Sequence, residues 1–249
     1  MEEHRELAER LALACRAVAL QGHGDLIFGH LSVRVPRAPD RLLMKGGGIG
    51  LDEMEPEDVL LMDFDGRRLE GIRAPHLEWP IHAEILRARP DVHAVVHTHP
   101  LYSLALGASE RNLEPLNHHG CYFTPPPVPK FNDTTDLITT PELGRALARA
   151  LGSHKAVLLR DHGSAVVGTS VEEAAVAAVL LEDACEQQLL TQQFGPYQFS
   201  PDAQAIARRE RIYPRHVGPL WSYLVRAVCK RWPECRAFAG AAAEKPTAH

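Results

Sequence analysis

Residues 78–100 read EWPIHAEILRARPDVHAVVHTHP, and the periodicity changes midway. From Trp79 the apolar positions fall at helical spacing. Ile81 and Ile85 share a face, Pro80 suits a first turn, and Pro90 stops the helix. From Val92 the period is two, so VHAVVHTH reads as a strand with side chains alternating between its faces. That strand ends with His97 and His99 on one face and Thr98 on the other. Two imidazoles side by side are what a transition-metal ion takes from two of its ligands. They are also groups whose burial without partners costs free energy.

Working outward, residues 3 to 20 carry Leu7, Leu11, Cys15 and Val18 at helical spacing, and Gly22 and Gly24 stop the helix. LSVRVP alternates as a strand that Pro36 ends. RLLM is a short strand running into the glycine cluster KGGGIG, and DVLLMDFDG is a strand closed by the hairpin signal Asp65-Gly66. Past the histidine strand, Pro100 opens a short helix through Leu106. NHHGCYFTPPPVPKFNDTTDLI follows, a long irregular segment with four prolines, and loops of that length are often functional. TPELGRALARALG is a helix capped by Thr140. KAVLLRDHG and SAVVG are strands on either side of Asp161-His162-Gly163. Ser170 and Glu173 form a capping box for a long helix from Val171 to about Gln193. The early strands pair as hairpins rather than as βαβ units. The pattern therefore predicts an α/β domain with a mainly antiparallel sheet and helices on both faces.

Composition excludes several classes. The 249 residues carry a net charge of −5, which argues against nucleic acid or an anionic membrane as partner. The longest apolar run, AAVAAVLL, is far too short to span a bilayer. The acidic amphipathic start, MEEHRELAERL, is not a signal peptide. Five scattered cysteines with no CxxC pair fit reduced thiols in a cytoplasm. No composition break divides residues 1–238. A basic, aromatic stretch from about residue 205 reads as a helical extension, either a solvated tail helix or one covering a neighbour's active site. The small polar residues 239–249 read as a frayed tail.

His162, at a strand end before a glycine, can join His97 and His99 where strand ends meet. Three protein nitrogens with an open position suit catalytic zinc, manganese or iron. Glu78, 19 residues before His97, is then a fourth ligand or a general base. Fourteen histidines make a chance pair unsurprising. The competing readings are satisfied histidines, a turn residue at His162, and a dipole-favoured charge at Glu78. His82, at helical spacing with Ile85 and Leu86, reads as a packing residue.

FGHLSVR, GLDEMEPEDVLLMDFDG, EWPIHAEILRARPDVHAVVHTHP and AVLLRDHGSAVVGTSVEEA resemble, in order and spacing, the class II aldolase/adducin family over roughly residues 5 to 195. The resemblance implies an αβα three-layer fold. It implies a divalent metal, zinc foremost, held by His97, His99 and His162, with Glu78 as resting ligand and as acid/base in turnover. It also implies a homotetramer with active sites between subunits. Sugar-phosphate members of the family hold the phosphate with hydroxyl side chains and an asparagine. Here those positions carry Ile27, His30, Lys45-Gly46-Gly47-Gly48 and His76-Leu77. Apolar Ile27 and Leu77 cannot hold a dianion, whereas Lys45, His30, His76 and the N–H groups of Gly46 to Gly48 can receive a carboxylate. Gly29 and Gly48 match the family.

The pattern is similar to members acting on unphosphorylated hydroxy acids, metal-dependent decarboxylases among them. The predicted substrate is a small carboxylic acid. The predicted reaction is carbon–carbon cleavage through a metal-stabilised enolate, foremost decarboxylation of a hydroxylated aromatic or hydroxy-oxo acid. Aldolases of the family draw a tyrosine from the neighbouring subunit near His119, so His118, His119 and Tyr122 are the candidates for a second acid/base group. The alternatives are retro-aldol cleavage of an unphosphorylated hydroxy-oxo acid or aldehyde, iron-dependent oxidation of a phenolic acid, and a non-catalytic adducin-like interaction module.

Overall fold

The computed structural model describes residues 2–244. Eight strands form one sheet: β1 (His30–Val35), β2 (Ala38–Lys45), β3 (Val59–Asp63), β4 (Arg68–Glu70), β5 (Ala94–Thr98), β6 (Lys130–Phe131), β7 (Ala156–Leu159) and β8 (Gly163–Gly168). Their order is β4-β3-β2-β1-β5-β8-β7-β6, and every pairing is antiparallel except β6 with β7. The first four strands form the meander that the hairpin signals predict.

Two apolar cores, one on each face, make the three layers. On one face Leu31, Val33, Val35, Ala94 and Val96 pack under α1 (Arg5–Val18) and α6 (Val171–Gln192). On the other face Val95, Val157, Leu159 and Val167 meet Ile81, Ile85 and Leu86 of α2 (Trp79–Ala88) and Leu147 and Leu151 of α5 (Pro141–Leu151). Alternation along β5 thus sends Val95 and His97 toward α2, and Ala94, Val96 and Thr98 toward α1. Thr140 caps α5 as expected, its Oγ1 accepting from the Leu143 N–H at 3.3 Å.

β1 departs from a simple half-exposed strand. His30, Ser32 and Arg34 alternate with its apolar residues, yet all three are buried. α2 covers that face and supplies their partners. The Arg34 guanidinium donates to the carbonyls of Leu86, Arg89 and Val92 at the C-terminal end of α2, replacing a conventional cap.

The segment read as irregular is not wholly so. It contains α4 (His118–Phe123), started by the Asn117 side chain accepting from the Gly120 N–H at 2.7 Å, and then the short β6. Between the helix α3 (Leu101–Ala108) and α4 the chain forms neither helix nor strand. The basic C-terminal stretch forms α7 (Asp202–Arg231), with Pro214 and Pro219 inside it. α7 buries Tyr213, Trp221, Leu224, Val225 and Val228 against the chain's own α1, α4 and α6. That packing is not that of a solvated tail helix. Ala239 is buried and Gly240–Ala243 forms a 3-10 turn beside α7. The remainder of the stretch anticipated as a frayed tail, residues 245–249, lies outside the described residues.

Candidate metal centre

Glu78 is the residue immediately before α2, with Pro80 in its first turn. The end of β5 lies beside the turn that leads into β8. Gly163 permits that approach, since a Cβ there would sit 2.5 Å from the Thr98 carbonyl oxygen and 2.8 Å from the His99 ring. Asp161, two residues earlier, takes a left-handed φ of 56°, which aspartate tolerates better than most residues. This turn delivers His162 to the histidine pair. One ligand atom each from Glu78, His97, His99 and His162 then lies within 4.8 Å of the others.

The tautomers suit a cation. His97 Nδ1 sits 3.0 Å from the Ser164 carbonyl oxygen, so it is the protonated nitrogen. His99 Nδ1 sits 3.0 Å from Asp25 Oδ2 and donates likewise. Their Nε2 lone pairs therefore face each other at 3.1 Å. Two acceptors at that distance repel unless a positive charge lies between them. His162 Nε2 is 3.2 Å from Glu78 Oε1 but is buried with no hydrogen-bond partner. Burial, then the nearby His30, drives His97 well below the usual imidazole range, which keeps it in the neutral form that binds metal. Burial pushes the Glu78 carboxyl upward. The close His162 contact, the flanking His97 and His162 rings and the Ile138 N–H outweigh burial and take it down to about 2. Three imidazoles with one carboxylate are a donor set for zinc, iron or manganese.

The cluster lies at a cleft of about 320 Å³, lined by His30, His76, Glu78 and His99 on its polar side. Ile27, Phe28, Leu77 and Leu137 also line it and are exposed, Leu77 at 73%. Gly29, Gly47 and Gly48 also line it.

Two expectations are corrected here. Lys45 is fully buried, and its ammonium donates to the Ile27 and Gly46 carbonyls and to His76 Nε2 at 3.3–3.4 Å. It braces the cleft from behind, and burial draws it down to about 8. The N–H groups of Gly46 and Gly47 are spent on the Asp58 and Ala74 carbonyls, so they offer nothing to an anion.

Within one protomer, His118, His119 and Tyr122 do not join the cluster. None lines the cleft. His118 is exposed, and His119 Nδ1 lies 3.5 Å from Asp183. The Tyr122 hydroxyl donates to Glu173 at 2.8 Å, beside a separate cavity of about 490 Å³ under α7. Glu173 itself does not close the expected capping box. Its backbone N–H donates to Ser170 Oγ, but its carboxylate accepts from the N–H and hydroxyl of Thr169 and from Lys155.

Sequence reasoning missed three residues. Asp25 orients His99, and its only signal was an acid in a glycine-flanked loop. Ser32 lies under α2 and accompanies His82, which is no mere packing residue. His82 Nδ1 is 2.6 Å from Ser32 Oγ, and His82 Nε2 is 2.7 Å from His30 Nδ1. Polar residues on alternate positions of a strand paired on both sides were the signal available.

Known proteins agree with this geometry. The profile of the Class II Aldolase and Adducin N-terminal domain matches residues 9–189. The chain is 35% identical to a Streptomyces roseochromogenus protein named 4-hydroxy-3-prenylphenylpyruvate oxygenase/4-hydroxy-3-prenylbenzoate synthase, covering 96% of this chain and 88% of that protein. It is 34% identical to the 3,4-dihydroxyphthalate decarboxylase of Arthrobacter keyseri, covering 72% of this chain and 76% of the relative. L-Fuculose 1-phosphate aldolase from Glaciozyma antarctica superposes with a TM-score of 0.83 at 26% identity, over 94% of this chain and 92% of its own. The αβα fold, the convergent histidines and the matched length together show that this chain belongs to the class II aldolase and adducin N-terminal domain family.

Proposed function

We propose that this protein is a metal-dependent carbon–carbon lyase that decarboxylates a hydroxylated aromatic carboxylic acid. The observation carrying this reading is the composition of the cleft beside the metal cluster, whose lining combines the imidazoles of His30, His76 and His99 and the Glu78 carboxylate with exposed apolar side chains. Ile27 and Leu77 offer a flat ring a dry surface and offer a phosphate dianion no donor. The decarboxylase named for 3,4-dihydroxyphthalate is a relative of matching chemistry.

His97, His99, His162 and Glu78 would hold a divalent cation, zinc foremost. That ion supplies Lewis-acid stabilisation of the electrons left when a carbon–carbon bond breaks. The protein's own groups handle the proton. Glu78 is a carboxylate at neutral pH, so it cannot be the initial donor. Its Oε1 accepts from the Ile138 N–H at 2.8 Å, while Oε2 has only imidazole nitrogens near it, at 3.7 and 3.8 Å. Oε2 therefore accepts the proton of the substrate's hydroxyl on binding. As carbon dioxide leaves with the carboxylate carbon, the bonding pair stays on the ring carbon, and the same proton passes from Glu78 to that carbon. Atoms and charge balance with no oxidant. His76 and His30 face the remaining substrate oxygens.

Residues 1–238 act as one domain in this reading, in a cytoplasmic homotetramer in which His118 and His119 of one subunit approach the cleft of another. Exposed apolar residues such as Phe194, 90% accessible, support association. Free cysteines, all five buried, support a reducing compartment. No helix among the described residues is long and apolar enough to cross a membrane.

Elemental analysis of the purified protein, followed by a carbon dioxide release screen over hydroxylated phthalates and benzoates, tests the proposal. Stoichiometric metal and release from at least one acid are expected. Aldehyde release from hydroxy-oxo acids in its place would establish the retro-aldol reading that likeness to the fuculose-phosphate enzyme favours. Oxygen uptake with ferrous iron would establish the oxidative reading that the oxygenase-named relative favours.

A further inference from the structure

Beneath the cleft runs a buried line of three side chains: Ser32 on β1, His82 on α2, and His30 at the start of β1. We infer that Ser32 and His82 are positioning residues that lock His30 with its proton on Nε2, so that His30 presents an N–H donor to a substrate oxygen in the cleft. The substrate-facing half of this inference rests on the lyase reading above, whereas the tautomer half stands without it.

The direction of the line follows from counting hydrogens. Ser32 is fully buried, and its hydroxyl has His82 Nδ1 as its one partner among the described residues, at 2.6 Å. A buried hydroxyl hydrogen with no other acceptor must be donated there or left unsatisfied, which costs about 1–3 kcal/mol. His82 Nδ1 is therefore the acceptor. Both rings are buried and neither has an acid within hydrogen-bond reach to hold a second proton, so each carries one. The His82 proton lies on Nε2 and is donated across 2.7 Å to His30 Nδ1. The His30 proton then lies on Nε2.

The opposite direction fails twice. It strands the Ser32 hydrogen, and it turns a His30 lone pair toward the Glu78 carboxylate, 3.8 Å away, so that two acceptors oppose each other. That distance is too long for a hydrogen bond to Glu78, so the His30 N–H remains free for a ligand. His30 lines the cleft, its ring tilted against those of His76 and His97 at centroid distances of 4.5 and 4.9 Å. A fixed donor aimed there meets the oxygen on which negative charge grows as the carbon–carbon bond breaks.

Long-range proton–nitrogen spectra of metal-free protein labelled with ¹⁵N-histidine read the tautomers directly, with His30→Asn and His82→Asn assigning the signals. Both rings are expected to be protonated at Nε2 in the wild type, and Ser32→Ala should mix the tautomers of both. Protonation at Nδ1 of either ring in the wild type overturns the inference. A second arm uses the zinc-loaded protein with salicylate as probe. Ser32→Ala should weaken salicylate binding about tenfold at unchanged zinc content, and Ser32→Thr, which keeps the hydroxyl, should restore it. No salicylate binding by the wild type, or an unchanged affinity in Ser32→Ala, overturns the substrate-facing role. Salicylate binding with no acid turned over would sink the lyase reading instead, and would leave the positioning role standing.

Discussion

Glu78 and Glu173 are both largely enclosed carboxylates, both held down to about 2, in surroundings that differ in one decisive respect. Glu173 is saturated. It accepts from Lys155 at 2.6 Å, Tyr122 at 2.8 Å, and the Thr169 N–H and hydroxyl at 2.8 and 2.6 Å. Glu78 has one good donor, the Ile138 N–H, and three imidazole nitrogens at 3.2 to 3.8 Å that make no full bond to it. Saturation joins α4, the residue preceding β7 and α6, and leaves nothing for a ligand. Incompleteness beside a cleft is what binding a cation and moving a proton require. A depressed carboxyl therefore marks either an anchor or a reactive group, and the count of unmet partners tells them apart.

The sharpest way to break this contrast is to delete a nitrogen from the incomplete cluster. His162→Ala should abolish metal binding and lower turnover by about 10³-fold or more, with an intact fold by circular dichroism. Full metal content by elemental analysis would show that the cluster is not the site. Glu78→Gln preserves shape and removes the charge. It should cost on the order of 10²- to 10⁴-fold in kcat while thermal stability stays near wild type. Asp25→Asn should weaken metal affinity about 10- to 100-fold, because His99 loses the carboxylate that orients it; competition with a chromophoric chelator measures this.

Glu173→Gln should behave in the opposite way. It leaves Lys155 and the Thr169 donors poorly paired, which should reduce unfolding free energy by about 1–3 kcal/mol in denaturant titrations, with turnover and metal content unchanged. A loss of activity at wild-type stability would erase the distinction between the two glutamates. The smallest effect is in acid. Glu173 titrates lower when folded than its ordinary 4.5, so its contribution is complete above about pH 4.5 and disappears as pH falls toward about 2. The Glu173→Gln protein should lack that part of the acid slope in stability. Identical slopes in the two proteins would show that the carboxylate is not stabilised in the folded state.

Local pattern was enough for most elements, because each announces itself within a few residues. The two-residue period of VHAVVHTH, Pro80 in the first turn of α2, and the Thr140 cap are all short-range physics. The histidine pair was legible for the same reason, since alternation alone places His97 and His99 on one face. The combined motifs named the family, and the missing hydroxyls at Ile27 and Leu77 argue against a phosphosugar from sequence alone. Long-range proximity was beyond that reach. Lys45 looked like an anion donor because its sequence neighbours are glycines, yet β2 carries it beneath the cleft, where carbonyls use its protons. Tyr122 looked like an acid, yet α4 turns it toward Glu173. His82 looked like packing, yet β1 runs under α2 and brings Ser32 and His30 to its two nitrogens. A side chain's chemical type is written in the chain, but the partners of His82 and Tyr122 come from residues 50 or more positions away. Only the closing of the sheet against its helices selects those partners.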